Sequence, residues 1–365
     1  MSRSFKDTAA SLVFLVPFGI AVCVFFLYAM ARTVWFSFTD YDLFNPPKYV
    51  GLANYVNIFR NDLFLTAIKN TLIYSVTITF LQTFLGLLLA VAIDRKVRGI
   101  SFFRTAFYFP SILSSAAVTL IFLWIFQKNG MMNQFLGWMS GAGLKILVLA
   151  LLILAFNWLL SLWDRMRGYP ATWWEPQNLI LGLILAALAM TAINAWGLLD
   201  AEPRLVEIQW LNSTEKVAGL AVPLWAITLQ NLYTTAPSMM LLFLAGLQNI
   251  PKEHYEVSKI EGGSFWQNFA YIIVPSLKPI IFLVTTTSLI GTLQLFDQVA
   301  LYGSSVPFES RVTLAYYIYD AAFPSGATPR VGEASAAAMI LTVLTLVIIL
   351  AQRLFNITDS GKDNQ

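Results

Sequence analysis

PKEHYEVSKIEGGSFWQNFAYIIVPSLKP, residues 251–279, is a dense island of charge and turn-forming residues set between two long uncharged runs. Before it, residues 217–250 make 34 positions without a charge, and after it residues 279–296 again carry none. Runs of this length match the roughly 20 apolar residues that a helix needs to cross a bilayer. The whole 365-residue chain is 58% hydrophobic and 12% charged, about half the ~25% charged share of an ordinary soluble protein. In lipid every backbone polar group must be paired within the protein, so the spans are expected to be helices and the fold class an all-α polytopic membrane protein.

Working outward, hydropathy predicts eight spans, at 12–31, 71–93, 105–127, 146–163, 179–199, 217–250, 279–296 and 334–352. The first follows Arg3 and Lys6, but its 20 uncharged residues exceed a signal-peptide core and no clean small-residue cleavage site follows, so it reads as a retained helix. The 217–250 run is too long for one straight span and contains Pro223, Pro237 and Gly246; a bend or local unwinding is expected there. Positively charged short loops stay on the cytoplasmic side. Placing both termini inside puts 13 of the 23 basic residues, among them Arg95, Lys96, Arg98, Arg104, Arg165, Arg167, Lys252, Lys259 and Lys278, on cytoplasmic segments.

Spans 146–163 and 179–199 differ from the rest in being almost wholly aliphatic or aromatic and free of proline. They read as an inserted, lipid-facing pair joined by DRMRGYPATWWEPQ, with Trp173 and Trp174 at the interface; a partner-docking arm is the alternative. The chain therefore divides into 1–140 (the N-terminal part of a core, three spans), 141–204 (the inserted pair) and 205–365 (the C-terminal part of that core, with the polar island).

Within the island, Pro251 ends one helix and opens another over 252–260, Gly262 and Gly263 stop it, and Ser264 can cap a second short helix over 265–273. Tyr255, Val257, Ile260, Phe265, Trp266 and Phe269 supply apolar anchors, ringed by Glu253, Glu256 and Glu261. Such a helix–glycine–helix unit suits docking into a groove of another protein, although an ordinary amphipathic interfacial loop has the same pattern. His254 reads as a solvated loop residue.

The composition excludes much else. One cysteine, Cys23, and one histidine rule out a disulfide framework and an all-Cys/His zinc site, and a net charge of +3 spread over loops gives no case for nucleic acid. There is no G-x-x-x-x-G-K-[ST] phosphate loop, no nucleophile–base set, no metal cluster, and no pair of carboxylates on one span.

The island resembles the EAA loop of ABC importer permeases, with Glu256-Val257-Ser258, then Gly262, then Ile272-Ile273-Val274-Pro275 at the family spacing. Val257 and Ser258 stand where that pattern has alanines, and Gly263 where it usually has another. The likeness extends to SFTDYDLFNPPKYVGLANY (37–55), RKVRGISFFRTAFYFPSILS (95–114), LQLFDQVALYG (293–303) and YYIYDAAF (316–323), and it narrows to the carbohydrate, maltose-type permeases. Residues 141–204 have no counterpart in that family's six-helix core. The resemblance implies a multi-pass subunit of a prokaryotic cytoplasmic (inner) membrane, paired with a second and different permease chain. Two ATPase subunits carry ATP and Mg, so this chain holds no cofactor and is no enzyme, and an external binding protein delivers the substrate. It further implies ATPase coupling through Glu253, Glu256, Val257, Ser258, Glu261, Gly262, Gly263 and Pro275. A substrate path is expected near Gln230, Asn231, Tyr233, Ser238 and Met239 and, after the island, Ser288, Gly291, Thr292, Gln294 and Asp297.

Polar groups inside a bilayer are costly and mark function by default, their alternative being helix–helix hydrogen bonding. Here they are hydroxyls and amides with aromatics and almost no charge, which suits a neutral sugar, oligosaccharide or sugar-polyol, such as an α-glucoside, trehalose, sucrose or glucosylglycerol. Asp297 can equally be a structural cap. Two other classes remain to be weighed: an ion-coupled secondary transporter, which would want buried charges and inverted repeats, and a membrane glycosyltransferase, which would want acids at a membrane edge such as Asp40 and Asp42.

Overall fold

The computed structural model describes residues 14–94, 100–167, 176–197 and 207–360. The expectations for Arg3, Lys6, Arg95, Lys96, Arg98, Trp173, Trp174 and the chain ends lie outside these residues. Two compact units result, one of Met1–Leu120 with Leu211–Gln365, the other of Ile121–Trp210.

In the larger unit the helices are α1 (Phe14–Ser37), α2 (Ala53–Phe59), α3 (Asp62–Ile93), α4 (Ile100–Ile112) and the start of α5 (Ser115–Ile125). After the smaller unit's α6 (Met131–Met166) and α7 (Pro176–Ala195), the larger unit resumes with α8 (Val222–Gln248), α9 (Lys252–Ile260), α10 (Phe265–Asn268) and α11 (Val274–Ser276). It ends with α12 (Lys278–Leu293), α13 (Asp297–Tyr302), α14 (Phe308–Arg311), α15 (Leu314–Ala322) and α16 (Val331–Ser360).

The helix α3 is the spine: its 32 residues span about 48 Å at 1.5 Å per residue, and it packs along both α8 and α12. Asn61 caps it by accepting the Leu63 amide at 2.9 Å. At its C-terminal end Leu87, Ala90 and Ile93 meet Met240, Phe243 and Leu247 of α8, Ile273 and Leu277 of the polar island, and Val284 beyond it. At its N-terminal end Phe64 and Ala67 join Leu314 and Tyr317 of α15 and Ala334, Ala336 and Ala337 of α16. Close approach is bought by glycine: a Cβ on Gly246 of α8 would lie 2.0 Å from Ile280 Cδ1 and 2.7 Å from Leu277 Cδ2. Beside this second core Arg311 is buried, with Nη1 donating to the Val299 carbonyl at 2.9 Å and its guanidinium 4.6 Å from the Tyr316 ring centroid.

The spans depart from expectation in four places. Among the described residues six helices are long and apolar enough to cross a membrane, or seven if the bent pair Thr105–Ile112 and Ser115–Ile125 counts as one, rather than eight. That pair turns by 102° because Ser114 starts a new helix, accepting the Ala117 amide on its hydroxyl at 3.3 Å. The helix α8 falls outside the six because Gln230, Asn231, Thr234, Thr235 and Ser238 dilute its hydropathy. The expected break in 217–250 is also absent: an antiparallel ribbon (Lys216–Val217 with Leu220–Ala221) takes up the first residues, Pro223 sits in the first helical turn where no amide is needed, and the helix continues through Pro237. Finally, α6 begins at Met131, well before the apolar stretch at 146.

In the smaller unit α6 and α7 pack against each other, with Gly182 admitting Asn157 and Asn178 Nδ2 donating to Asp164 Oδ2 at 2.8 Å. At its base Asn133 is 4% exposed and holds three partners. Its Nδ2 donates to the carbonyls of Lys128 (2.9 Å) and Ile208 (2.8 Å), and its Oδ1 accepts from Trp210 Nε1 at 2.9 Å. The incoming and outgoing strands of chain are thus tied at one point.

Candidate functional site

The polar island folds as its residues dictate. Glu253 in the first turn and Lys259 in the last complement the dipole of α9. Gly262, at φ +75°, supplies the left-handed residue that ends the helix. Ser264 then makes a capping box with Gln267: its backbone amide donates to Gln267 Oε1 at 2.7 Å, and its hydroxyl accepts the Gln267 amide at 3.4 Å. The second helix is not uniform, since α10 passes into a π-helical turn, Phe269–Ile273, before α11.

The unit is two-sided. Inward, Tyr255, Phe269, Ile272, Ile273 and Leu277 pack on the α3–α8 core, and burial, followed by the charge of Asp94, pushes the Tyr255 phenol above its ordinary pKa. Outward, Val257, Ile260, Trp266 and Tyr271 are exposed, Ile260 by 86% and Tyr271 by 79%. Of the apolar anchors expected, Tyr255 and Phe269 therefore hold the island to its own chain, while Val257, Ile260, Phe265 and Trp266 are left for another surface. A cavity of about 660 Å³ opens between the two helices, lined by Glu253, His254, Val257, Ser258, Glu261, Gly262 and Gly263 with Asn268 and Tyr271. Glu256 and Pro275 are exposed but outside that lining.

Two of the three departures from the family-like pattern, Ser258 and Gly263, fit each other. Ser258 hydrogen-bonds Asn268 across the cavity, and a Cβ on Gly263 would lie 2.2 Å from Ser258 Oγ. Gly263→Ala alone is expected to lower the unfolding midpoint of the assembled protein, and Ser258→Ala in the same chain to recover much of that loss. A double-mutant cycle in thermal or denaturant unfolding should show a coupling of roughly 1 kcal/mol; strictly additive effects would mean the positions are independent.

The residues expected along a path separate by helix face. On α12, Val284, Ser288 and Thr292 follow helical spacing on the buried side. Ser288 Oγ donates to Thr79 Oγ1 of α3 at 3.0 Å, Gln82 Nε2 donates to Ser288 Oγ, and the Thr79 and Thr292 hydroxyls stand 3.4 Å apart. Leu283, Thr287, Gly291 and, just past the helix end, Gln294 form an adjoining, exposed stripe, with open space around Gly291. On α8, Gln230 is fully buried and donates to Thr119 Oγ1 at 2.6 Å. Asn231 Nδ2 donates to Gln298 Oε1 at 3.3 Å and its Oδ1 accepts from Thr235 at 2.9 Å. Tyr233 is half exposed, Ser238 and Met239 are half-buried, and Asp297 is an exposed acid in the first turn of α13 that makes no capping hydrogen bond. Ser288, Thr292 and Gln230 thus join helices, whereas Tyr233, Gly291, Gln294 and Asp297 face outward.

Sequence reasoning passed over Thr79, Gln82, Thr119 and Gln298, the partners that occupy these groups. The signal was present in the amides and hydroxyls interrupting the apolar run 71–93. It passed over an aromatic ladder as well. Phe296 and Tyr319 are 5.0 Å apart between ring centroids, Tyr316 and Tyr319 6.3 Å, and Tyr319 and Phe323 5.6 Å, with Tyr319 and Phe323 partly open. Of the acids that a glycosyltransferase would need, Asp42 is spent on a turn: Oδ1 accepts the Phe44 and Asn45 amides at 3.1 and 2.8 Å, and Oδ2 accepts Asn45 Nδ2 at 2.7 Å. The Asn45 amide and side chain hold its pKa below the ordinary carboxylate value.

Residues 166–357 match the family model described as binding-protein-dependent transport system inner membrane component. Curated relatives include the probable ABC transporter permease protein YesP of Bacillus subtilis (strain 168), 27% identical over 96% of this chain and 91% of the relative. The lactose transport system permease protein LacF of Rhizobium radiobacter is also 27% identical, over 93% and 91%. Among solved structures, a chain of a bacterial ABC transporter involved in the import of the acidic polysaccharide alginate shares the fold at TM-score 0.68 and 18% identity, covering 96% of both chains.

Proposed function

The chain belongs to the binding-protein-dependent transport system inner membrane component family, and on that premise we propose that it is a permease subunit of an ATP-driven importer of a neutral sugar, oligosaccharide or sugar-polyol. In this reading the polar island is the lever gripped by a partner ATPase, where ATP and Mg reside. A second permease chain closes the other side of the path, and an external binding protein hands over the substrate.

The observation that carries the substrate class is the exposed stripe of α12. Thr287, Gly291 and Gln294 offer a hydroxyl, open space and an amide, and the stripe leads to the aromatic ladder around Phe296 and Tyr319. Hydroxyl-rich neutral rings are held by such hydrogen bonds and by stacking on aromatic faces. An anionic sugar would call for basic groups, and among the described residues the stripe carries none; Arg311 is buried behind Phe308 and Tyr316. The sugar-permease names of relatives such as LacF point the same way. Ser288, Thr292 and Gln230 are assigned to holding α12 and α8 in place, and Tyr233, Gly291, Gln294 and Asp297 to facing the path. Residues 141–204 are assigned as a helix pair inserted into a six-helix permease core.

The test is uptake by cells expressing the assembled transporter, offered labelled neutral oligosaccharides and labelled uronate oligosaccharides of the same length. Accumulation of a neutral sugar, lowered at least about tenfold by Gln294→Ala through the loss of hydrogen bonds to a buried ligand, is expected. Uptake of the uronates alone would overturn the substrate class.

A further inference from the structure

The smaller unit carries a cavity that the transport reading does not use. It measures about 760 Å³, within the range of roughly 300–1,000 Å³ typical of small-ligand pockets, and runs along the last turns of α6. Its walls are Phe156, Leu160, Trp163 and Met166 of α6 with Leu185 of α7, and one charged group, Arg167, stands at its mouth. The apolar part lies within Lys145–Met166, a segment long and apolar enough to cross a membrane, and Arg167 is the next residue. The groove therefore runs through the hydrocarbon and its mouth reaches the headgroup level.

The charges at the mouth leave a net positive site. At the mouth Arg167 is exposed and its guanidinium lies 4.9 Å from the Trp163 ring centroid, which fixes it over the groove, while Arg165, two residues earlier, is exposed but outside the cavity lining. The facing acid, Asp164, is half-buried and occupied by Asn178 of α7. Neither arginine meets a carboxylate among the described residues. An occupant has to be apolar along its length and anionic at one end.

We infer that this groove is a site for an anionic phospholipid, with an acyl chain along Phe156, Leu160 and Leu185 and the headgroup phosphate on Arg167. Guanidinium groups bind phosphate in bidentate fashion, so the site distinguishes an anionic headgroup from a zwitterionic one of the same chain length. This gives the extra helix pair a role as a lipid anchor, independent of which substrate the importer carries.

Native mass spectrometry of the complete detergent-purified transporter, titrated with dioleoylphosphatidylglycerol or dioleoylphosphatidylcholine, tests it. The wild type is expected to retain phosphatidylglycerol in preference. Arg167→Gln should weaken that retention roughly fivefold and leave phosphatidylcholine unchanged. Leu185→Trp fills the groove but keeps the charge, and should also reduce phosphatidylglycerol retention. Equal retention of the two lipids by the wild type, or phosphatidylglycerol binding that survives both variants, overturns the site. So does a cross-link from Leu160→Cys to another subunit of the complex, which would show a protein seated there.

Discussion

Reversing one exposed charge, Glu256→Lys, is expected to abolish substrate uptake while the protein still inserts and assembles with its partner permease. Glu256 is on the exposed surface of α9 and contributes nothing visible to the fold, so its loss should leave the unfolding midpoint unchanged. The neighbouring apolar groups Val257, Ile260 and Trp266 are exposed as well, and a charge among them becomes desolvated once a partner covers the face. Reversing such a charge costs about 2–5 kcal/mol, which is at least ~30-fold in the docking constant of the ATPase. Co-purification of the ATPase with the variant, compared with wild type, measures it. Undiminished ATPase docking together with full uptake would show that this face is not the coupling surface.

A second large effect is expected within the lever's support. Gly86 of α3 lies against α8, where an added Cβ would stand 2.9 Å from Met239 Cβ and 3.3 Å from both the Met239 carbonyl carbon and the Met240 nitrogen. Two of these three are backbone atoms and cannot rotate away. Gly86→Leu should therefore force the two helices apart at the level of Met239, at about 3 kcal/mol, the upper end of ordinary overpacking. A lowered unfolding midpoint and lost transport should appear together, with Gly86→Ala intermediate. A Gly86→Leu protein as stable and active as wild type would mean that α3 and α8 do not approach this closely in the working transporter.

These two positions illustrate what the sequence revealed and what it hid. The membrane class and the helix–glycine–helix island were legible because each rests on local chemistry: run length, the turn preference of Gly262, and the capping pair Ser264 and Gln267. Boundaries set by distant partners were not. The helix α6 starts at Met131, well before the span expected at 146–163, and Asn133 ties its first turn to Ile208 and Trp210. Likewise α8 runs unbroken past Pro237, although two prolines and a glycine argued for a break.

The candidate path was legible as composition and not as direction. A window of apolar residues does not say which face a serine takes, and Ser288 and Thr292 proved to be held by Thr79 and Gln82 on a helix some 200 residues away. Helical spacing alone does not separate Ser288 from Gly291, which stands three residues on and on an adjoining face; the packing of α3 against Ser288 and Thr292 does. The match between Ser258 and Gly263 was visible only as two departures from a pattern, and their shared cause is a contact.

The central claim is that this chain moves substrate only when a partner ATPase drives its coupling lever. Proteoliposomes holding the chain with its partner permease and ATPase, loaded with ATP and supplied with ligand-bound binding protein, measure this directly. Labelled sugar should accumulate with ATP inside, fall to background with ADP, and stay at background when Glu256→Lys replaces the wild-type chain. Accumulation by the permease chains alone, driven by an ion gradient and indifferent to ATP, would contradict the account.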